Sequence, residues 1–180
     1  MKAGSRDKFI IAALVAAAAG HLGYLAWAPR ERVHESMDAL SEDGMVFNRW
    51  IAAERFQDNV QGAPTPNPDL MTAACVFDVS PGPVLIELAP WDDYWSLSLY
   101  NADGDPFYTI SDREIRGSAR LVLTRHERDA PEHEGRIVET PSARGMAVLR
   151  RLAPSPSRHA QALRVAREDV CGNLAALRAR

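Results

Sequence analysis

Several polar side chains in this chain have the chemistry to act on something: Asp78, Asp112, Arg113, His126 and His133. Asp78 interrupts an otherwise apolar run, and Asp112-Arg113-Glu114 closes another. An arginine there can hold a carboxylate or phosphate through two parallel hydrogen bonds. It serves equally as an internal ion-pair partner, and the reading expects Asp78 to be its mate. His126 and His133 flank Glu127, Asp129, Glu132 and Glu134, but the spacing matches no HExxH metal motif, so a solvated loop is expected. Asn101, Asp103 and Asp105 mimic the start of a calcium loop. Pro106 stands where that loop needs glycine and no glutamate follows at its twelfth position, which leaves a polar hairpin turn. Ser96 and Ser98 lack a nucleophile elbow. No nucleophile–base or acid–base pair can be named from spacing. The favoured class is therefore a non-catalytic binding or interaction module. An enzyme of unassigned chemistry, using Asp78, Asp112, Arg113 or the His126/His133 loop, is the alternative. No cofactor is implied.

Cys75 and Cys171 are the only cysteines. Outside the cytoplasm such a pair can bridge, and closing a loop of about 95 residues is worth roughly 4–5 kcal/mol in the chain-entropy model. Two buried free thiols are the other reading. Too few ligands cluster for a zinc site.

These residues are carried by a chain of 180 residues, 46% hydrophobic and 25% charged, with net charge −3. Both lysines lie in the first eight residues, and from Arg30 onward 18 Arg face 23 Asp+Glu, which gives −5. No basic stripe interleaved with aromatics exists, so nucleic acid is not the expected partner. Phe9 to Ala28 is free of formal charge and, at about 1.5 Å per residue, spans roughly 30 Å, the thickness of a bilayer core. Lys2, Arg6 and Lys8 precede it, and Tyr24 and Trp27 lie near its far end. The expected topology is a short cytoplasmic tail, one uncleaved inner-membrane anchor and a periplasmic remainder. Ala26-Trp27-Ala28 has the form of a signal cleavage site, but Pro29 would then be the first mature residue and blocks it.

The expected organisation is a tail and anchor over 1–29 and a stalk over 30–68 with a short helix around Met45–Phe56. A β domain over 69–153 and a C-terminal helix within 154–180 follow. The link 62–68 is rich in proline. Trp95 to Tyr100 alternates strictly, Trp95, Leu97 and Leu99 facing one way and Ser96, Ser98 and Tyr100 the other, as in a sheet with one buried face. Candidate strands are Met71–Val79, Val84–Leu88, Trp95–Tyr100, Phe107–Ile110, Ala119–Thr124, Arg136–Glu139 and Met146–Leu152, with Asp103-Gly104 as a hairpin turn. They predict a mainly β fold, an antiparallel β-sandwich or small barrel. A helix capped by Ser157, running to Leu177, should dock on it through Leu163, Ala166, Val170, Leu174 and Leu177.

The run from Asn67 to Ser80, Gly82-Pro83-Val84, the strand Pro90-Trp91-Asp92-Asp93-Tyr94-Trp95-Ser96-Leu97-Ser98-Leu99-Tyr100 and the later Ser111-Asp112-Arg113 resemble the bacterial domain-of-unknown-function family 1254. Thr72 stands where that family commonly has tyrosine, and Asn101-Ala102-Asp103 displaces its aspartate after the Tyr-Trp strand. The resemblance covers roughly 48–152 and looks like the short, single-anchor branch. It implies a β-sandwich and, as partner, a protein of the sister family 1214, often encoded beside it. It assigns no reaction.

Overall fold

The computed structural model describes residues 5–42, 44–52, 67–129 and 135–179. The first element, α1 (Ser5–Leu40), is one continuous helix. Its window Lys8–Leu25 has mean hydropathy 1.6 and is nowhere buried among the described residues; it is long and apolar enough to cross a membrane. The helix continues through Pro29. Proline removes a single intrahelical hydrogen bond, and the Arg-, Glu-, Met- and Ala-rich residues beyond it carry the helix on to Leu40. Beyond the apolar window, α1 runs onto the β domain. Met37 is buried, and a Cβ added to Gly104 would lie 2.6 Å from Val33 Cγ2.

The helix expected around Met45–Phe56 is absent over its described part. Residues 45–50 are turn and extended chain, leading into β1 (Ile51–Ala52). This segment is stitched to the sheet edge instead: Asn48, at φ 58°, donates its backbone N–H to Val76 O at 2.8 Å and exchanges side-chain bonds with the Asp78 backbone.

Then come β2 (Leu70–Asp78), β3 (Val84–Leu88), β4 (Trp95–Asn101), β5 (Pro106–Ser111), β6 (Ala119–Thr124), β7 (Arg136–Glu139) and β8 (Arg144–Leu152), followed by α2 (Pro156–Val165), β9 (Val170–Asn173) and α3 (Leu174–Arg178). The strands form a five-stranded sheet in the order β1-β2-β8-β4-β5 and a four-stranded sheet in the order β7-β6-β3-β9. Pairing is antiparallel except that β7 runs parallel to β6, so the second sheet is mixed. Alternate residues fill the space between the sheets: Met71, Cys75 and Phe77 on β2, Leu97 and Leu99 on β4, Ile86 and Leu88 on β3, Leu121 and Leu123 on β6. The outer face of the five-stranded sheet is not the open polar surface the alternation predicts, since Ser96, Ser98, Val76 and Val148 are all buried. Gly104, at φ 85°, makes the β4–β5 hairpin turn at the expected place.

The largest fully buried side chain is an arginine. Arg151 projects from β8 on the same side as Ala147 and Leu149, and its guanidinium grips Asp169 at 2.6 and 2.7 Å while also donating to Ala89 O at 3.1 Å. Asp169 in turn accepts from the Ala89 backbone N–H at 2.9 Å. This clamp explains why the C-terminal helix is not continuous. Helix α2 is capped by Ser155, not Ser157, with Pro156 at its first position. It stops at Val165, Asp169 is drawn inward to Arg151, and Val170–Asn173 pairs with β3 as an edge strand. The expected apolar stripe is thereby divided. Leu163 and Ala166 pack on the inter-sheet core, while Val170, Leu174 and Leu177 turn to the outer face of the four-stranded sheet against Leu85 and Val122.

Replacing Arg151 by Ala leaves the Asp169 carboxylate buried without its countercharge, and urea denaturation is expected to show a loss of about 3–5 kcal/mol. Gly104→Ala forces a left-handed residue against Val33 and is expected to cost at least about 1–2 kcal/mol. Adding Val33→Ala to that variant should recover part of the loss in the same assay.

Candidate functional site

The strand registers give the sandwich two ends. Leu70, Trp95 and Arg151 align at one, and Asp78, Asn101 and Arg144 at the other, where α1 also joins the domain. In the second sheet Leu88 pairs with Ala119 near the first end, and Val84 with Leu123 at the α1 end.

The connections β3–β4 and β5–β6 meet at the first end and enclose a cleft of about 470 Å³ lined by Trp91, Asp92, Asp93, Tyr94, Asp112 and Arg113 among others. Asp112 is fixed there by its backbone N–H donating to Trp95 O at 3.2 Å, and its Oδ1 is buried with no partner among the described residues. Arg113 is exposed. Arg158, from the first turn of α2, lies 4.1 Å over the Trp91 ring and pairs with Asp92. That hydrogen bond is the main reason the Asp92 carboxyl sits below its usual range. The two segments Pro90–Tyr100 and Ser111–Arg113 are distant in sequence and carry the sequence resemblance. They converge on this cleft.

Asp78 is not the mate of Arg113. It lies at the opposite end, where its Oδ2 accepts from Arg144 Nε at 2.9 Å and its Oδ1 from the Ser80 backbone at 2.8 Å. Cross-strand pairing places Arg144 directly opposite Asp78, a nearness the spacing of 66 residues hides. Arg144 also lies 4.8 Å over the Phe47 ring, which ties the segment after α1 to the same pair. Burial pushes the Asp78 carboxyl up, but the Ser80 and Arg144 interactions outweigh it and hold the group below 3.8. His126 is exposed just beyond β6 at this α1 end, and its carbonyl accepts from Thr124 Oγ1 at 3.1 Å. His133 lies outside the described residues. Asp78 and His126 are thus parted from Asp112 and Arg113 by the length of the strands, and no joint catalytic constellation forms among them. Asn101, Asp103 and Asp105 form a hairpin turn closed by Asn101 Oδ1 accepting from Asp105 N–H at 2.8 Å.

Cys75 and Cys171 form a disulfide that joins β2 of one sheet to β9 of the other. Beside it runs a second cavity, of about 960 Å³, along the side of the sandwich where edge strands β1 and β9 face each other. Its lining includes Phe47, Trp50, Leu163, Arg167, Cys171 and Asn173. The other side, between edge strands β5 and β7, is bridged by Arg136 Nη1 donating to Tyr108 Oη at 3.0 Å. This groove has no signal in the sequence, because β9 lies inside a run of helical period.

The model of the family described as "Protein of unknown function (DUF1254)" matches residues 47–170. The chain belongs to this family. Among solved structures it is similar to the VPA0106 protein from Vibrio parahaemolyticus, with a TM-score of 0.68 at 15% identity over 87% of this chain. It also matches an uncharacterised protein from Burkholderia cenocepacia, with a TM-score of 0.45 at 14% identity over 76% of this chain. The chain spans 38% of the length of each. No curated protein matches it. The first likeness shows the fold alone, and neither brings an activity.

Because the Asp78 carboxyl is lowered, its contribution to stability is complete above about pH 3.8 and disappears as pH falls through the lower value in the folded protein. Asp78→Asn should be less stable than the parent at neutral pH, and the difference should shrink in acid unfolding curves taken toward pH 2–3. A difference independent of pH would show that the ion pair with Arg144 contributes nothing.

Proposed function

We propose that this DUF1254 chain is a single-pass inner-membrane protein whose β domain lies in the periplasm and serves as a non-catalytic interaction module for a protein of the sister family 1214. The observation that carries the reading is the unbroken α1, which takes an apolar window of membrane length directly onto the β domain. A domain joined in this way is held close to a bilayer, since the eight residue steps from Leu25 to Val33 rise only about 12 Å. The basic residues Lys2, Arg6 and Lys8 before the window favour a cytoplasmic N-terminus. The Cys75–Cys171 disulfide favours an oxidising compartment for the rest. An interaction role is supported by the separation of its polar candidates to opposite ends of the sandwich.

A reporter active only in the periplasm, fused after Arg180, should be active, and the purified protein should retain residues 1–28. Tagged full-length protein in detergent should co-purify with the family 1214 protein co-expressed from the same genome. An inactive reporter, a mature N-terminus at Pro29, or no complex would each refute the part of the reading it addresses.

A further inference from the structure

We propose that the cleft at the end of the sandwich away from α1 binds a saccharide, seated between Tyr94 and Asp112. This is a further binding surface, and it does not depend on the interaction reading above. Two orphaned atoms belong to residues that line the cleft. Asp112 Oδ1 and Trp91 Nε1 are both buried without a hydrogen-bond partner among the described residues, and Trp91 as a whole is only 7% exposed. One is an acceptor and the other a donor, yet they do not bond each other. Groups left unmet in this way are costly, and two of them beside one cleft mark a place whose polar partners come from outside the chain. Asp112 Oδ2 has no partner either among the described residues and, unlike Oδ1, is not buried. The contrast with the other buried carboxylates is sharp, since Asp78 is paired with Arg144 and Asp169 with Arg151. Arg113 and Arg116 line the same cleft, are exposed, and make no ion pair with Asp112.

The class of ligand follows from the chemistry these groups offer together. An anion would suit Arg113 and Arg116 but meets Asp93 and Asp112. A cation would suit the carboxylates but meets the two guanidiniums. Counting Arg158, which stacks over Trp91 and pairs with Asp92, three carboxylates stand against three guanidiniums, and the cleft is neutral. A neutral polyhydroxylic molecule uses both kinds of group at once, because each hydroxyl can donate to a carboxylate and accept from a guanidinium. Tyr94 supplies the apolar contact. Its backbone is held at both ends, the N–H donating to Asp93 Oδ1 at 2.8 Å and the carbonyl accepting from Leu152 N–H at 2.9 Å. Its ring is 42% exposed, free to lie against the C–H face of a sugar ring, and its hydroxyl has no partner among the described residues. The cleft, at about 470 Å³, falls in the size range of small-molecule sites. It faces away from the attachment of α1, so a soluble ligand reaches it while the chain is anchored.

Asp112 allows a test that separates binding from general damage. Its side chain has no partner within the described chain, so Asp112→Ala removes a buried unmet acceptor and should melt no lower than the parent. The probes are maltose, cellobiose and N,N′-diacetylchitobiose, followed by saturation-transfer NMR on the full-length chain in a detergent without a sugar headgroup. At least one should bind saturably. D112A and Tyr94→Ala should each weaken it at least about tenfold, the loss expected for one charge-assisted hydrogen bond or one stacking contact. Arg167→Ala, on the side groove, should stay within about twofold of the parent. If none of the three sugars binds, or if D112A and Y94A bind as the parent does, the proposal fails. Inorganic phosphate and putrescine serve as ion controls in the same assay, and saturable binding of either that D112A alters, without sugar binding, makes the cleft an ion site and overturns the proposal. Loss of the family 1214 complex in D112A, again without sugar binding, makes the cleft part of a protein interface and also overturns it, while the interaction reading stands. A parent chain that binds sugar but forms no such complex supports the proposal and refutes only the interaction reading.

Discussion

The buried ion pair between Arg151 and Asp169 is the constraint from which the rest of the tertiary arrangement follows. An unpaired guanidinium between two apolar sheets would be prohibitively costly. It is tolerated because Asp169 meets it with both oxygens and Ala89 supplies one acceptor and one donor to the same network. Satisfying it requires three distant pieces of chain to coincide: the end of β8, the exit of β3 and the turn after α2. Once Asp169 is held there, Val170–Asn173 lies alongside β3, Cys171 comes within bonding distance of Cys75, and α3 folds over the outer face of the four-stranded sheet.

The clamp and the disulfide act on the same segment in different ways. The disulfide restricts the unfolded chain by closing a long loop. The clamp favours compact arrangements in which both charges are paired, since either one buried alone is costly. Together they secure β9 at a sheet edge. At the other edge, Tyr108 and Arg136 bring β5 and β7 together. The sandwich is consequently asymmetric, bridged along one side and grooved along the other.

A second asymmetry runs along the strands. The helix from the membrane-length window arrives at the end that holds Asp78, Arg144 and the Gly104 hairpin, and the charges there are engaged in holding the chain together. The cleft with Asp112, Arg113 and Tyr94 lies at the end away from that attachment. Among the described residues, α1 thus leaves both the polar cleft and the groove uncovered.

Local patterns in the sequence were enough for the apolar helix of membrane length and for seven strands, three of them with the bounds observed, because period-two burial and turn residues act over a few positions. The Asp103-Gly104 turn was legible for the same reason. The sequence also supplied both cysteines and the two motif segments, but not their places in space. Everything that depended on partners distant in the chain was decided by tertiary structure. Leu163 to Leu177 has a sound helical period, yet Asp169 is worth more in the Arg151 clamp than in a helix, so the run splits. Met45 to Ala52 has helical spacing too, yet edge pairing with β2 satisfies its backbone better. Asp78 found Arg144 rather than Arg113 because strand register, which no local pattern encodes, sets which charges face each other. The groove beside β9 has no signature in sequence, since an edge exists only once the sheet does.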